Sequence, residues 1–337
     1  MTKTATFIPV AGGKGGVGKS LFTANLALAL AELHHDTVVV DLDLGGSNLH
    51  SFLGLSNQFP GIGDFLKART AELENFLVPT EMPTLKFLPG DGRTPFMANI
   101  PTAQKLRLLS HLNRIPADYI LLDLGSGSSF NTLDFFGISK TGFVVTTFEH
   151  PSLMNVLSFL KNFLYRTIER IVGRENHQVR ITLQEIYKQP MTGPPVTAQY
   201  IQDQIAALNP ELGEQVKKIC SYYRPRFIFN RGEHPDTLRI LQPLDKSLRE
   251  IVSLQADYFG FIFEDPAVRE SVRRGVPLVT AYRDSVASQS VLRVADRVAR
   301  IWGRPIENSA ELLTTDTIRF HKSVADRQQG SITSFRR

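Results

Sequence analysis

Short apolar runs alternate along the chain with segments of helical periodicity, and the strand candidates are residues 7–10, 37–42, 85–88, 119–122, 142–147, 227–229 and 258–263. Several are apolar at consecutive positions, as strands covered on both faces of a parallel sheet are. Helical spacing recurs over residues 20–33, 102–113 and 285–302; in the last, Val291, Val294, Val298 and Ile301 fall at steps of three and four and read as a core-facing stripe. Residues 26–31 are a short apolar stretch of the kind a buried helix carries, and no run of 18 apolar residues occurs, so no membrane span is predicted. The alternation predicts an α/β fold with a doubly wound, mostly parallel sheet.

About 80 residues separate the strand ending near Thr147 from the one starting at Phe227, far more than a crossover helix needs. A helical insertion is therefore predicted at about 161–224. Residues 154–172 carry an amphipathic pattern (Leu157, Leu160, Leu164, Ile168, Ile171), Met191-Thr-Gly-Pro-Pro195 is a turn or linker signal, and 198–208 is again helical. The segment from 161 to 224 holds nine Lys+Arg and six Asp+Glu, a net of +3. It reads as a helical subdomain packed on the main fold, with a membrane or nucleic-acid surface as the alternative. One domain is predicted over 1–305, followed by a weakly structured, polar tail over 306–337 that ends in Arg336-Arg337.

Composition narrows the class. Of 337 residues, 42% are hydrophobic and 21% charged, ordinary globular usage that argues against disorder and against many membrane spans. The net charge of +5 permits an acidic surface as partner without demanding one. Cys220 is the only cysteine, which excludes an internal disulfide, a Cys-rich zinc site and a four-thiolate cluster within one chain. Met1 to Thr6 run into Phe7-Ile8-Pro9-Val10 with no extended apolar targeting segment, so a cytoplasmic protein is expected.

The strongest chemical signal is Gly13-Lys14-Gly15-Gly16-Val17-Gly18-Lys19-Ser20, which follows a strand candidate and opens a helix candidate. Glycines let the backbone curl so that successive N–H groups face one concavity at a helix N-terminus, where phosphate oxygens accept them. Lys19 is then placed for the β and γ phosphates, and the Ser20 hydroxyl for magnesium. Asp41 and Asp43 end the second strand and Asp123 ends the 119–122 run, so three acids are expected to converge on the loop at the carboxyl ends of the strands. A single aspartate after an apolar strand is otherwise often a helix N-cap.

Together these residues resemble the MinD/ParA family of deviant Walker A P-loop ATPases, in the manner of its MinD and FlhG members. Lys14, the additional lysine of the loop, is the mark of that group. Asp41-Leu-Asp-Leu-Gly-Gly-Ser-Asn-Leu49 is similar to its second motif and Asp123-Leu-Gly-Ser-Gly127 to its Walker B segment. The similarity extends to Thr146-Thr-Phe-Glu-His-Pro-Ser152, Phe227-Ile-Phe-Asn-Arg231 and Gly260-Phe-Ile-Phe-Glu-Asp-Pro266. Leu124-Gly125 replaces the frequent Pro-containing continuation, and Phe148 and Phe263 stand where prolines are common.

The resemblance implies a three-layer αβα P-loop NTPase that binds ATP and Mg2+ and forms an ATP-dependent homodimer. It implies nucleotide binding by Gly13, Gly15, Gly16, Val17, Gly18, Lys19, Ser20 and Leu21, with adenine recognised at Asn230. Lys14 would reach the partner's nucleotide, Lys19 would act in cis and Asp43 would position the attacking water. Ser20, Asp123 through water, and Asp41 as support would serve the metal. The implied function is a slow, partner-stimulated ATPase switch for spatial positioning in a bacterial cell (division site, flagellum or pole), with a protein partner and a peripheral contact to the inner face of the cell membrane.

The alternative is a ParA-like partitioning ATPase that binds DNA nonspecifically, with Arg166, Arg170, Arg273 and Arg274 as candidates. Iron–sulfur relatives are disfavoured by the single cysteine, and a tyrosine-kinase relative by the lack of tyrosine after Tyr282. Small-molecule enzymes of the same fold stay open on the loop alone, and Lys14 with the second motif favours a switch. The histidines, His34-His35 included, show no metal-ligand spacing.

Overall fold

The computed structural model describes residues 5–68, 70–90, 100–188 and 196–334. Among them are eight strands: β1 (Thr6–Ala11), β2 (Thr37–Leu42), β3 (Val78–Pro79), β4 (Leu85–Leu88), β5 (Tyr119–Leu124), β6 (Phe143–Thr146), β7 (Arg226–Gly232) and β8 (Asp257–Phe263). The apolar runs mark seven of these; β3 is two residues long, too short to carry alternation. The helices are α1 (Lys19–Glu32), α2 (Leu49–Phe52), α3 (Ile62–Lys67), α4 (Thr102–Leu112), α5 (Phe130–Phe136), α6 (His150–Val172), α7 (His177–Tyr187), α8 (Ala198–Leu208), α9 (Pro210–Ser221), α10 (Leu241–Ser247), α11 (Pro266–Arg274), α12 (Leu278–Ala281), α13 (Val286–Ile301) and α14 (Ser309–Ser334).

The strands pair in the order β3-β4-β2-β5-β1-β6-β7-β8, parallel throughout except for β3 against β4. β1 is therefore central. The chain leaves it toward β2 on one side and later crosses to β6 on the other, which places the loop after β1 at the topological switch point.

Both faces of the sheet are covered. On one, α1 packs with α12 and α13, and Phe22 meets Phe143 edge-on at 5.4 Å beneath Trp302. Residues 26–31 are buried all round because α1 touches the sheet and other helices together. On the other face Phe136 of α5 packs edge-on against Phe159 and Phe163 of α6. That helix runs unbroken for 23 residues and buries Leu153, Val156, Leu160, Leu164 and Ile168 in one stripe. The expected insertion is helical, α6 through α9, and its expected start at 161 falls inside α6. The linker signal at 191–195, residues 1–4 and the terminal arginines 336 and 337 lie outside the described residues.

The expectation of a weakly structured tail needs correction. α14 lays Leu313, Thr317 and Phe320 against the sheet's last strand, with the Phe320 ring 5.9 Å from Phe263. Its apolar residues are sparse enough to read as polar tail in one dimension. An edge strand carrying Phe261 and Phe263 supplies the surface that orders them. The segment before α14 is tied down by Arg226, a fully buried guanidinium over Phe259 and Trp302 that donates to the Arg304 carbonyl at 2.6 Å. Burial pulls this group down to about 10, and the Asp257 carboxylate opposes the fall.

Asp134 joins three helices. It accepts two hydrogen bonds from Arg166 of α6, at 2.9 and 3.1 Å, and another from Lys105 of α4. Burial would raise its carboxyl, but the donors outweigh burial and hold it below the usual range. Its contribution to stability is thus complete above the unfolded value near 3.9 and is lost as pH falls through the lower folded value. Asp134→Ala is expected to cost about 1–3 kcal/mol in urea unfolding at pH 7, with the gap to wild type closing below about pH 4; an equal gap at both pH values would contradict this assignment.

Candidate functional site

Residues 12–18 connect β1 to α1 and lie at the carboxyl edge of the sheet between β5 and β6. Gly18 is the N-cap of α1 in a left-handed conformation (φ 88°), and a Cβ there would sit 2.3 Å from the Asn230 amide nitrogen. Gly13 is pressed against α6: a Cβ would meet the Asn155 backbone at 2.4 Å. Two neighbours thus seat the loop so closely that only glycine fits. The loop leaves the first N–H groups of α1 facing outward, since no side chain caps that helix. This donor set, with Lys19 and Ser20 beside it, fits a phosphate chain and its divalent cation.

Below the loop lies a buried charged layer. Asp41 and Asp123 are register partners on β2 and β5. Lys19, 7% exposed, donates to Asp123 Oδ1 at 2.9 Å, and Thr23, one turn on, donates to the same oxygen at 3.2 Å. Asp41 is fully buried and turned toward its own loop: Oδ1 accepts from the Asp43 N–H at 3.1 Å, and Oδ2 from Ser47 at 2.6 Å and the Leu49 N–H at 3.1 Å. Burial, with Asp123 as the second cause, pushes the Asp41 carboxyl up to about 7. Asp43 is half-buried, and its carboxylate lies over Gly125, where a Cβ would be 3.2 Å from Oδ1.

The expected convergence of acids is therefore divided. Asp123 faces the loop lysine, Asp41 organises residues 43–49, and Asp43 stands beside the segment following β5. No group of three or more His, Cys, Asp or Glu among the described residues forms a metal cage.

Asn230, at the end of β7, donates to the Val17 carbonyl at 2.8 Å and accepts from the Arg231 N–H at 3.0 Å. Its amide thus holds the loop while lining an adjacent cleft of about 710 Å³ with Leu21, Phe52, Phe263, Pro266 and Val268. On the opposite side Lys14 is half-buried near Glu149, whose carboxyl is held low by a hydrogen bond from Thr147 and, more weakly, by the Lys14 charge. Thr23, Ser47 and Glu149 were not legible as site residues. Only Thr23 carried a usable signal, lying four residues after Lys19 on the same helical face.

Three of the four arginines considered for DNA are engaged elsewhere: Arg273 and Arg274 both pair with Glu270, and Arg166 with Asp134.

A family model described as the CobQ/CobB/MinD/ParA nucleotide binding domain matches residues 8–278. The chain is 35% identical over 124 residues to the septum site-determining protein MinD of Helicobacter pylori, covering 36% of this chain and 46% of that protein. It is 32% identical over 162 residues to the flagellum site-determining protein YlxH of the same organism, covering 46% and 52%. These matches span about half the length of the curated relatives. A solved structure of MinD complexed with Mg-ADP from Pyrococcus horikoshii superimposes with a TM-score of 0.60 at 21% identity, covering 89% of this chain and 98% of that one, a likeness of fold.

The loop's seating makes its glycines unequal. Gly13→Ala is expected to weaken nucleotide binding by at least about tenfold, through displacement of the loop from α6. Gly15→Ala, whose nearest neighbour would be Ser126 Oγ at 3.8 Å, should stay within about threefold of wild type. Calorimetric titration of both variants with ATP and magnesium checks the ranking, and equal losses would refute it.

Proposed function

The chain belongs to the CobQ/CobB/MinD/ParA nucleotide-binding domain family, and from that premise we propose that it is an ATP-hydrolysing switch, dimeric with ATP, that helps position a structure within the cell. The observation that carries this reading is the division of labour between two loop lysines. Lys19 is buried on Asp123, inside its own chain, while Lys14 stands on the outer rim beside Glu149.

In this mechanism the loop amides of residues 15–20 receive the phosphates, and Lys19 leaves Asp123 to meet the β and γ oxygens. Ser20 and, through water, the Asp123 carboxylate would hold the cation. Magnesium supplies charge neutralisation across the phosphates. Asp41 keeps residues 43–49 in register through Ser47 and Leu49, and so places Asp43 to orient the attacking water. Asn230 anchors the loop at Val17 on the wall of the cleft that receives the nucleoside.

Lys14 then reaches a second copy's phosphates, a cation added where negative charge develops. Met154, beside Asn155, and Phe130, at the start of α5, are large apolar side chains that remain exposed on elements near the loop, consistent with a face a second copy covers. Hydrolysis becomes coupled to assembly, and an activating protein partner can control it. The site-determining relatives favour division-site, flagellar or polar positioning as the process. No helix among the described residues is long and apolar enough to cross a membrane, so a membrane contact would be peripheral.

Light scattering coupled to size exclusion, with ATP and magnesium, tests the switch. Wild type is expected to dimerise and hydrolyse slowly. Asp43→Ala should accumulate the ATP dimer with hydrolysis reduced by at least about a hundredfold, and Lys14→Ala should be impaired in dimerisation, hydrolysis or both. A wild type that stays monomeric and inert toward ATP would overturn the proposal.

A further inference from the structure

The helical segment between β6 and β7 contains a second basic site. The carboxyl half of α6, the turn after it and α7 enclose a cleft of about 420 Å³ whose wall includes Arg166, Arg170, Arg174, Arg180, Glu169 and Tyr187. Four arginines and one glutamate give the lining a net charge of +3. Arg166 is held by Asp134 and lies 3.9 Å from Glu169. Arg170, Arg174 and Arg180 make no ion pair among the described residues, and Glu169 is the one acidic residue in the lining. At the end of α6 it is Asn176 that donates to the carbonyl of the last residue, Val172, at 2.6 Å.

Tyr187 adds a polar group without an internal partner. It stacks on Tyr165 with ring centroids 5.0 Å apart, and its hydroxyl is buried with no hydrogen bond among the described residues. Burial, reinforced by Glu169 and Tyr165, pushes the phenol up, so it remains a donor at neutral pH.

We propose that this cleft binds a small soluble anion carrying adjacent phosphates, such as a diphosphate or triphosphate. Guanidinium forks pair with phosphate oxygens two at a time, and several converging forks match clustered rather than single negative charges. A concave cleft of this volume suits a compact ligand, whereas a duplex presents its phosphates along a convex rail. The site is separate from the phosphate loop: Asn155, which abuts the loop, precedes Arg170 by 15 residues, about 22 Å along the helix.

Inorganic pyrophosphate and tripolyphosphate, titrated calorimetrically into wild type saturated with MgADP and into Lys19→Ala, provide the test. Both proteins are expected to bind one equivalent. Arg174→Ala/Arg180→Ala should weaken binding at least about tenfold, and Tyr187→Phe by about threefold, with circular dichroism unchanged in each. The Lys19→Ala arm reads the cleft even if the nucleotide switch proposed above fails. Absent binding in both wild type with MgADP and Lys19→Ala, or binding indifferent to the arginine substitutions, would overturn the inference. Arginine-dependent binding to random duplex DNA or to phosphatidylglycerol vesicles, without pyrophosphate binding, would overturn it equally.

Discussion

The rest of the site depends on how closely the phosphate loop is seated. Gly13 and Gly18 bring backbone to within distances of α6 and Asn230 that no Cβ would survive. The loop is thereby clamped between a helix that follows β6 and a side chain that ends β7, on the far side of the central strand. The positions of α6 and β7 are thus linked to the geometry of the phosphate cradle. The 23-residue helix is in turn fixed to α4 and α5 by Asp134, so a contact of a few ångströms at the loop is referred to a large part of the second core.

Beneath the loop, charge is arranged so that no ion is left bare in a dry layer. Asp123 has Lys19 and Thr23, and Asp41 has two N–H groups and a hydroxyl. Burial disfavours the charged form there and the neighbouring Asp123 carboxylate adds repulsion, which is why Asp41 is displaced toward its neutral form. Acids from neighbouring strands thus have different surroundings: Asp123 faces a lysine and a threonine of α1, whereas Asp41 is saturated by its own loop.

Much of this was legible along the chain. Seven strands follow from consecutive apolar runs, because a strand buried on both faces cannot afford polar positions. The loop, its lysines and the carboxylates at the strand ends follow from a motif set between strand and helix. What failed did so for identifiable reasons. β3 is too short for periodicity, and α14 has too few apolar residues to declare a buried face without knowing that Phe261 and Phe263 await cover. Ser47 and Glu149 are ordinary polar residues until folding brings them to Asp41 and toward Lys14.

The sequence by itself determined the layer architecture and placed the glycine-rich loop motif between strand and helix, since these rest on local pattern. Tertiary structure alone decided which carboxylate meets Lys19, that Asn230 grips the loop, and that arginines of α6 and α7 surround one cleft. The first two depend on groups more than a hundred residues apart meeting at hydrogen-bond distance, and the third on how two successive helices pack. Periodicity specifies which face of an element is buried, but only the packed fold specifies which atom it is buried against.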